Sequence, residues 1–323
     1  MPQLSAHPYD SLSQDCVLDA VEKQGFYSDG RVFPLNSYEN RVYQVGIEGA
    51  EPVIAKFYRP KRWSAPCIQE ELNFLLELQE EDVPVVAPLE RQGRTLHEHQ
   101  GFYFALFPRR GGHAPELGSQ HHLELLGRML ARLHQCGVQQ SFKRRPKMQG
   151  ADDFLQAQEQ LLVSGLLPPE YRASYQNLIK ELARLALARW GSPKTLRLHG
   201  DLHLGNLLLR DDSLYVVDFD DCLQGPAMQD IWMLLSGQVQ EQRHELEIIA
   251  QGYELFRPFP WHETPLIELL RTLRVVKYAA WLALRWQDPA FPEAFPWFAS
   301  ARFWSEHLQT LREQVAALQE QDY

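Results

Sequence analysis

The sequence predicts an α+β chain of two lobes, a small antiparallel-sheet lobe over residues 1–107 and a larger helical lobe over residues 108–323. Strand-like apolar runs come in pairs before residue 108. After it the apolar residues recur at helical spacing. Between them, residues 108–112 (Pro-Arg-Arg-Gly-Gly) read as a break.

In the first lobe, residues 41–47 form a strand, 48–52 a turn and 53–58 the return strand. Ser64 can cap the helix that follows, with Ile68, Leu72, Leu75 and Leu76 on its apolar side and Glu70 and Glu71 in its early turns. Pro84 and Pro88 stop it, and residues 95–98 and 101–107 read as a second hairpin. The second lobe opens on the stripe Leu123, Leu126, Leu130 and Leu133, which ends at Gly137. The basic run Lys143-Arg144-Arg145-Pro146-Lys147 reads as a solvated loop. Further helices are expected over 152–164 and 169–190, short strands around 197–199 and 214–218, and a buried helix over 267–286.

Composition narrows the class. An apolar content of 45% with 23% charged residues is that of a globular protein with a sizeable core. The net charge of −10 argues against a general nucleic-acid or anionic-membrane binder, while leaving room for a local basic cleft. Cys16, Cys67, Cys136 and Cys222 form no C-x-x-C pair, so neither a zinc site nor a disulfide framework is expected. With neither a leader-like start nor a run of 18 apolar residues, a cytoplasmic protein is the default expectation, and a monomer the default state.

The chemistry concentrates in His199-Gly200-Asp201-Leu202-His203-Leu204-Gly205-Asn206 and the Asp218 that follows Tyr215-Val216-Val217. Any one of these acids or amides is an ordinary turn residue. Together, Asp201, Asn206 and Asp218 supply what phosphoryl transfer needs: a carboxylate to take the acceptor proton, and an amide and a second carboxylate to hold Mg²⁺ on nucleotide phosphates. The strand ending at Asp218 can pair with residues 196–198, which would bring both acids to one edge. A metallohydrolase reading of His199, His203 and Asp218 lacks a third histidine at ligand spacing. His199 instead suits a backbone bond that shapes the loop.

Lys56 lies inside an apolar strand, where alternation can place it on the cleft face to contact the α- and β-phosphates. The competing reading is an edge-strand lysine that blocks aggregation. Glu70 and Glu71 are both candidates to hold it; Glu71 is preferred because Leu75 and Leu78 follow it at helical spacing. Residues 35–43 lack glycine, so no Gly-rich phosphate loop is present, though Ser37, Asn40 and turn N–H groups could take over phosphate contact. Adenine is expected against the backbone near Leu106, Phe107 and Pro108.

These motifs, with Lys56-Phe57-Tyr58-Arg59-Pro60, residues 225–232 (Gly-Pro-Ala-Met-Gln-Asp-Ile-Trp) and residues 288–292 (Asp-Pro-Ala-Phe-Pro), resemble the bacterial stress response kinase A (YihE/RdoA) group. That group lies in the aminoglycoside phosphotransferase/choline kinase branch of the protein-kinase-like fold. The resemblance runs from about residue 30 to 310. It implies a cytoplasmic, ATP- and Mg²⁺-dependent serine/threonine protein kinase that autophosphorylates and acts in stress response. By position it implies Asp201 as proton acceptor, Asn206 and Asp218 as Mg²⁺ ligands, Ser37 in the nucleotide loop, Lys56 on phosphate, and Asp230 as a buried acid bracing the loop at Asp201. Two departures from ordinary protein kinases stand out. Phe219-Asp220 replaces Phe-Gly, with no room before Gly225 for a long activation segment, and His203 replaces the lysine two residues after the catalytic Asp. A kinase acting on a small amino alcohol, sugar or antibiotic hydroxyl is the alternative, since its site chemistry is identical. A non-catalytic nucleotide-binding regulator is a third reading, weakened because every motif residue is retained.

Overall fold

The computed structural model describes residues 8–236 and 239–320. Helix α1 (Gln14–Glu22) precedes strands β1 (Ser28–Leu35), β2 (Arg41–Ile47) and β3 (Ala50–Phe57), then helix α2 (Ala65–Glu80) and strands β4 (His97–His99) and β5 (Phe102–Pro108). These strands form one antiparallel sheet in the order β1-β2-β3-β5-β4. The elements α1 and β1 were not expected from the sequence. The helix is amphipathic but only nine residues long, too short for its buried face at Cys16, Val17, Ala20 and Val21 to stand out, and β1 is an edge strand with Gly30, Pro34 and no buried residue.

Alternation along the strands decides what each face of the sheet touches. Val53, Ala55 and Phe57 of β3 and Phe102, Phe104 and Leu106 of β5 pack with Val17, Ala20 and Val21 of α1. Tyr58, Ala105 and Phe107 turn the other way, into the larger core shared with α2 and the helical lobe. Ser64 stands at the N-cap of α2, but its side chain makes no capping bond.

The second lobe contains α3 (Gln120–Gly137), α4 (Ala151–Ser164) and α5 (Pro169–Trp190), then β6 (Leu196–Leu198), β7 (Leu207–Arg210), β8 (Ser213–Val216), β9 (Leu223–Gly225) and α6 (Met228–Ile231). Helices α7 (Val239–Tyr253), α8 (Ile267–Arg285), α9 (Ala290–Ala294) and α10 (Ala301–Glu320) complete it. No helix among the described residues is long and apolar enough to cross a membrane.

The strand pairing differs from the expectation. Residues 196–198 pair with β9, not with the strand that leads to Asp218. That strand, β8, pairs with β7 across Asp211 and Asp212, both at positive φ, as in a type I′ hairpin turn. A tight local turn outcompetes the distant partner because it closes a far shorter loop.

Helices α3 and α7 approach closely where Gly127 and Gly252 face each other's backbones. A Cβ at Gly127 would collide with the Ile249 carbonyl oxygen, and one at Gly252 with that of Glu124. Gly127→Ala should therefore force the helices apart and destabilise the protein by about 1–3 kcal/mol. A thermal melt checks this; an unchanged midpoint would contradict the packing described.

Candidate active site

Lys56 shares the parity of Ile54 and Tyr58, so its side chain points between the lobes. Strand β3 has β2 on one side and β5 on the other, which removes the edge-strand reading. Lys56 is buried, and its Nζ lies 3.0 Å from Glu71 Oε1, 3.1 Å from Asp218 Oδ1 and 3.8 Å from Asp220 Oδ1. Burial opposes its charge, but the three carboxylates outweigh it and raise its pKa well above the ordinary value.

The two adjacent glutamates of α2 divide their work. Glu71 Oε1 also accepts from Tyr58 Oη at 3.2 Å, and Oε2 from Arg145 Nη2 at 2.6 Å. Glu70 accepts the backbone N–H groups of Lys143, Arg144 and Arg145 at 2.8–2.9 Å. The basic run is therefore not simply a solvated loop. Arg145 is buried, its Nη1 donates 2.9 Å to the Asp220 carbonyl, and it joins the Lys56 network. Arg62 closes that network by pairing with Asp220 and, at 2.6 Å, with Asp221.

The glycine-free loop between β1 and β2 is held from the far lobe. Glu39 accepts from Trp281 Nε1 at 2.8 Å and from Arg285 Nε at 2.9 Å, both on α8. Tyr38 packs against Phe295 at 5.0 Å between ring centroids. Buried Asn40 accepts the Arg59 N–H at 3.0 Å, and Arg59 pairs with Asp288 at 2.6 Å. Ser37 and Asn36, on this anchored loop, line the interlobe cavity.

On the opposite wall, the loop from β6 is braced by buried Asp230, which accepts the N–H groups of His199 at 2.9 Å and Gly200 at 2.8 Å. Gly200 has φ of +87°, and a Cβ there would meet the Asp221 carbonyl oxygen. His199 Nε2 donates to the Val217 carbonyl at 2.9 Å, and its Nδ1 accepts the Asp201 N–H at 3.2 Å. Both ring nitrogens are thus occupied, which leaves His199 no electron pair for a metal. Asn206 Nδ2 donates to the Asp201 carbonyl at 2.9 Å, and Val217 N–H to the Asn206 carbonyl at 3.0 Å. Those two bonds set Asn206 beside the residue before Asp218.

The resulting cavity, about 350 Å³, is lined by Ser37, Lys56, Glu71, Phe107, Asn206 and Asp218. Leu106 does not line it. Strand parity turns its side chain toward α1, and its carbonyl already accepts the Leu89 N–H at 2.7 Å. Asp201 borders a second cavity of about 510 Å³ with His203, Arg274 and Lys277. Burial alone would raise the Asp201 pKa, but its contacts with His203 and Arg274 hold it well below the usual carboxylate range.

The donor set fits a hard divalent cation. Asn206 commits its Nδ2 to backbone, so its amide oxygen is turned away from that bond. Asp218 is 52% exposed and meets Lys56 through Oδ1 alone, leaving Oδ2 open. Two protein oxygens facing one cavity suit Mg²⁺, an ion that needs few protein ligands.

Sequence reasoning missed Glu39, Arg62, Arg145 and Arg274. Arg271, Arg274 and Lys277 recur at three-residue spacing along α8, but that row alone does not say which of them meets a carboxylate.

The profile of the phosphotransferase enzyme family matches residues 31–266. Over 318 residues the chain is 45% identical to stress response kinase A of Escherichia coli O157:H7, covering 98% of this chain and 96% of that protein. It is 43% identical over 317 residues, at the same coverage, to the serine/threonine protein kinase RdoA of Salmonella typhimurium (strain LT2). Among solved structures, an amicoumacin kinase in complex with AMP-PNP, Ca²⁺ and Ami has a TM-score of 0.71 at 19% identity, covering 92% of each chain. That likeness is one of fold.

Asp220 is buried between Lys56, Arg62 and Arg145. Although burial would raise its pKa, those cations hold the carboxyl below its ordinary value, at about 2. Its contribution to stability is fully present above the unfolded value of about 4 and is lost as pH falls toward 2. Asp220→Ala should cost about 3–5 kcal/mol at neutral pH, and denaturant titrations should show the gap to wild type shrinking between pH 4 and 2. A pH-independent gap would contradict the ion pairing.

Proposed function

The chain belongs to the phosphotransferase enzyme family and, within it, to the stress response kinase A group, and from this we propose that it is an ATP- and Mg²⁺-dependent serine/threonine protein kinase. The observation that carries the reading is the 3.1 Å approach of Lys56 Nζ to Asp218 across a cavity they share with Asn206 and Ser37. An ammonium, a carboxylate and an amide facing one crevice are arranged for a polyphosphate. The relatives' names support the protein-kinase and stress-response parts of the proposal. Autophosphorylation, a cytoplasmic location, a monomeric state and a lobe boundary at residues 107/108 belong to the same reading.

In this mechanism Lys56 binds the α- and β-phosphates, with Glu71 fixing its direction. Asn206 and Asp218 would hold Mg²⁺, which would supply positive charge to offset that of the phosphates. The acceptor hydroxyl approaches from the second cavity and gives its proton to Asp201. Its oxygen bonds to the γ-phosphorus as the bond from that phosphorus to the β–γ bridging oxygen breaks, and ADP leaves with the electron pair. Asp220 and Asp221 are tied to Arg62, and β9 returns at once to β6, so the segment after Asp218 is short and anchored. Control by a long mobile activation segment has no structural counterpart among the described residues.

A small-molecule acceptor is the second reading. It is favoured by the cavity beside Asp201, whose volume of about 510 Å³ falls within the range of small-ligand pockets.

Incubation with γ-labelled ATP, Mg²⁺, a generic basic protein and a panel of amino alcohols separates the two. Label in protein is expected; label confined to small molecules would overturn the protein-kinase assignment. Asp201→Ala should lower transfer by about 10²–10⁴ while nucleotide affinity changes little. Asp218→Ala should also weaken Mg²⁺-ATP binding in calorimetry. Undiminished transfer in the first, or unchanged affinity in the second, would remove that residue from its role.

A further inference from the structure

Phosphoryl transfer at Asp201 calls for a cation on the acceptor side of the γ-phosphate, because negative charge spreads over three equatorial oxygens in the transition state. The chain has no lysine at position 203. His203 accepts the Gly205 N–H through Nδ1, and its one remaining donor, Nε2, faces Asp201 at 3.5 Å. The other nearby cations are engaged. Lys56 belongs to Glu71 and Asp218, Arg62 to Asp220 and Asp221, and Lys277 to Asp153 at 2.9 Å.

Arg274 is placed differently. It projects from α8, and its Nη1 donates to Asp201 Oδ1 and lies 3.1 Å from Met233 Sδ. Its Nε and Nη2 bond to no described residue, its side chain is 43% exposed, and it lines the cavity that holds Asp201. An acceptor hydroxyl must lie within about 2.6–3.2 Å of the Asp201 carboxylate, and the phosphorus it attacks about 3–3.5 Å beyond. A guanidinium on that carboxylate is therefore within reach of the same phosphoryl oxygens, and its planar fork can serve two oxygens at once.

We propose that Arg274 is a catalytic residue, sharing Asp201 with the acceptor hydroxyl and donating its free N–H groups to the phosphoryl group in flight. The inference rests on the phosphotransfer reading above. The hydroxyl proton passes to Asp201, the new O–P bond forms as the bond to the bridging oxygen breaks, and ADP takes the electron pair. Arg274 remains protonated throughout and offsets the charge on the non-bridging oxygens. Asp201 then releases its proton to water. The missing lysine of the catalytic loop is thereby replaced from a helix more than 70 residues downstream.

Steady-state kinetics of wild type, Arg274→Ala, Arg274→Lys and the exposed control Arg302→Ala test this. Arg274→Ala should lower kcat by about 10²–10³ with KM for ATP and acceptor little changed, and added guanidinium ion should restore part of the loss. Arg274→Lys should fall between wild type and Ala, and Arg302→Ala should match wild type. Mg²⁺-ATP affinity measured on the same samples reports folding. A wild-type kcat in Arg274→Ala, or a loss confined to acceptor KM, would overturn the inference and leave the phosphotransfer reading standing. A wild-type protein that labels no acceptor would remove both.

Discussion

A buried ammonium has to be matched by carboxylates, and at Lys56 that requirement ties three distant parts of the chain together. Uncompensated, the charge would cost several kcal/mol in lost hydration. Glu71 from α2, Asp218 from the end of the β7–β8 hairpin and Asp220 from the turn beyond all converge on it. Their own excess negative charge is met by Arg62 and Arg145. The arrangement leaves Asp218 half exposed toward the cavity, so one member of the network is free for an exchange of partners. On the proposed reading, a polyphosphate entering the cleft would take Lys56 as its counter-ion and leave Asp218 for a metal ion.

On the proposed reading, outside support lets a phosphate loop do without glycine. Glycine-rich loops reach phosphate through bare, adaptable backbone. Here the loop gains its position from outside, through Glu39 on Trp281 and Arg285, Tyr38 on Phe295, and Asn40 on the Arg59 backbone. Arg59 and Asp288 add a buried pair between the lobes. Fixing the loop in advance removes ordering entropy from nucleotide binding. Helix α8 thus reaches both ends of the cleft, clasping the β1–β2 loop through residues 281 and 285 and facing Asp201 through residue 274.

Much of this was legible in the sequence because the strongest periodic signals came from buried elements. The α3 stripe and the helices over 151–164 and 169–190 bury one face, and β3 and β5 are near-continuous apolar runs covered on both, so their patterns survive. Helix α1 is too short for its buried face to leave such a trace, and edge strand β1 buries no residue. The partner of β8 was misread because pairing is decided by turn geometry at Asp211 and Asp212, and an Asp-Asp pair is a weaker turn signal than Asn-Gly. Leu106 and Phe107 are adjacent in an apolar run, and only the parity of β5 against β3 separates the one facing α1 from the one facing the cleft. Arg145 and Arg274 could not be assigned from spacing, since a basic residue at a surface-like position looks the same whether or not a distant carboxylate awaits it.

If the buried network positions the nucleotide, Lys56 and Glu71 act as one unit in binding it. A double-mutant cycle on Mg²⁺-ATP affinity, with Lys56→Met, Glu71→Gln and the pair, measures that directly. Groups in direct contact should be non-additive, with a coupling of about 0.5–3 kcal/mol. Strict additivity would mean that the two residues act independently, and the buried network would then not be what positions the nucleotide.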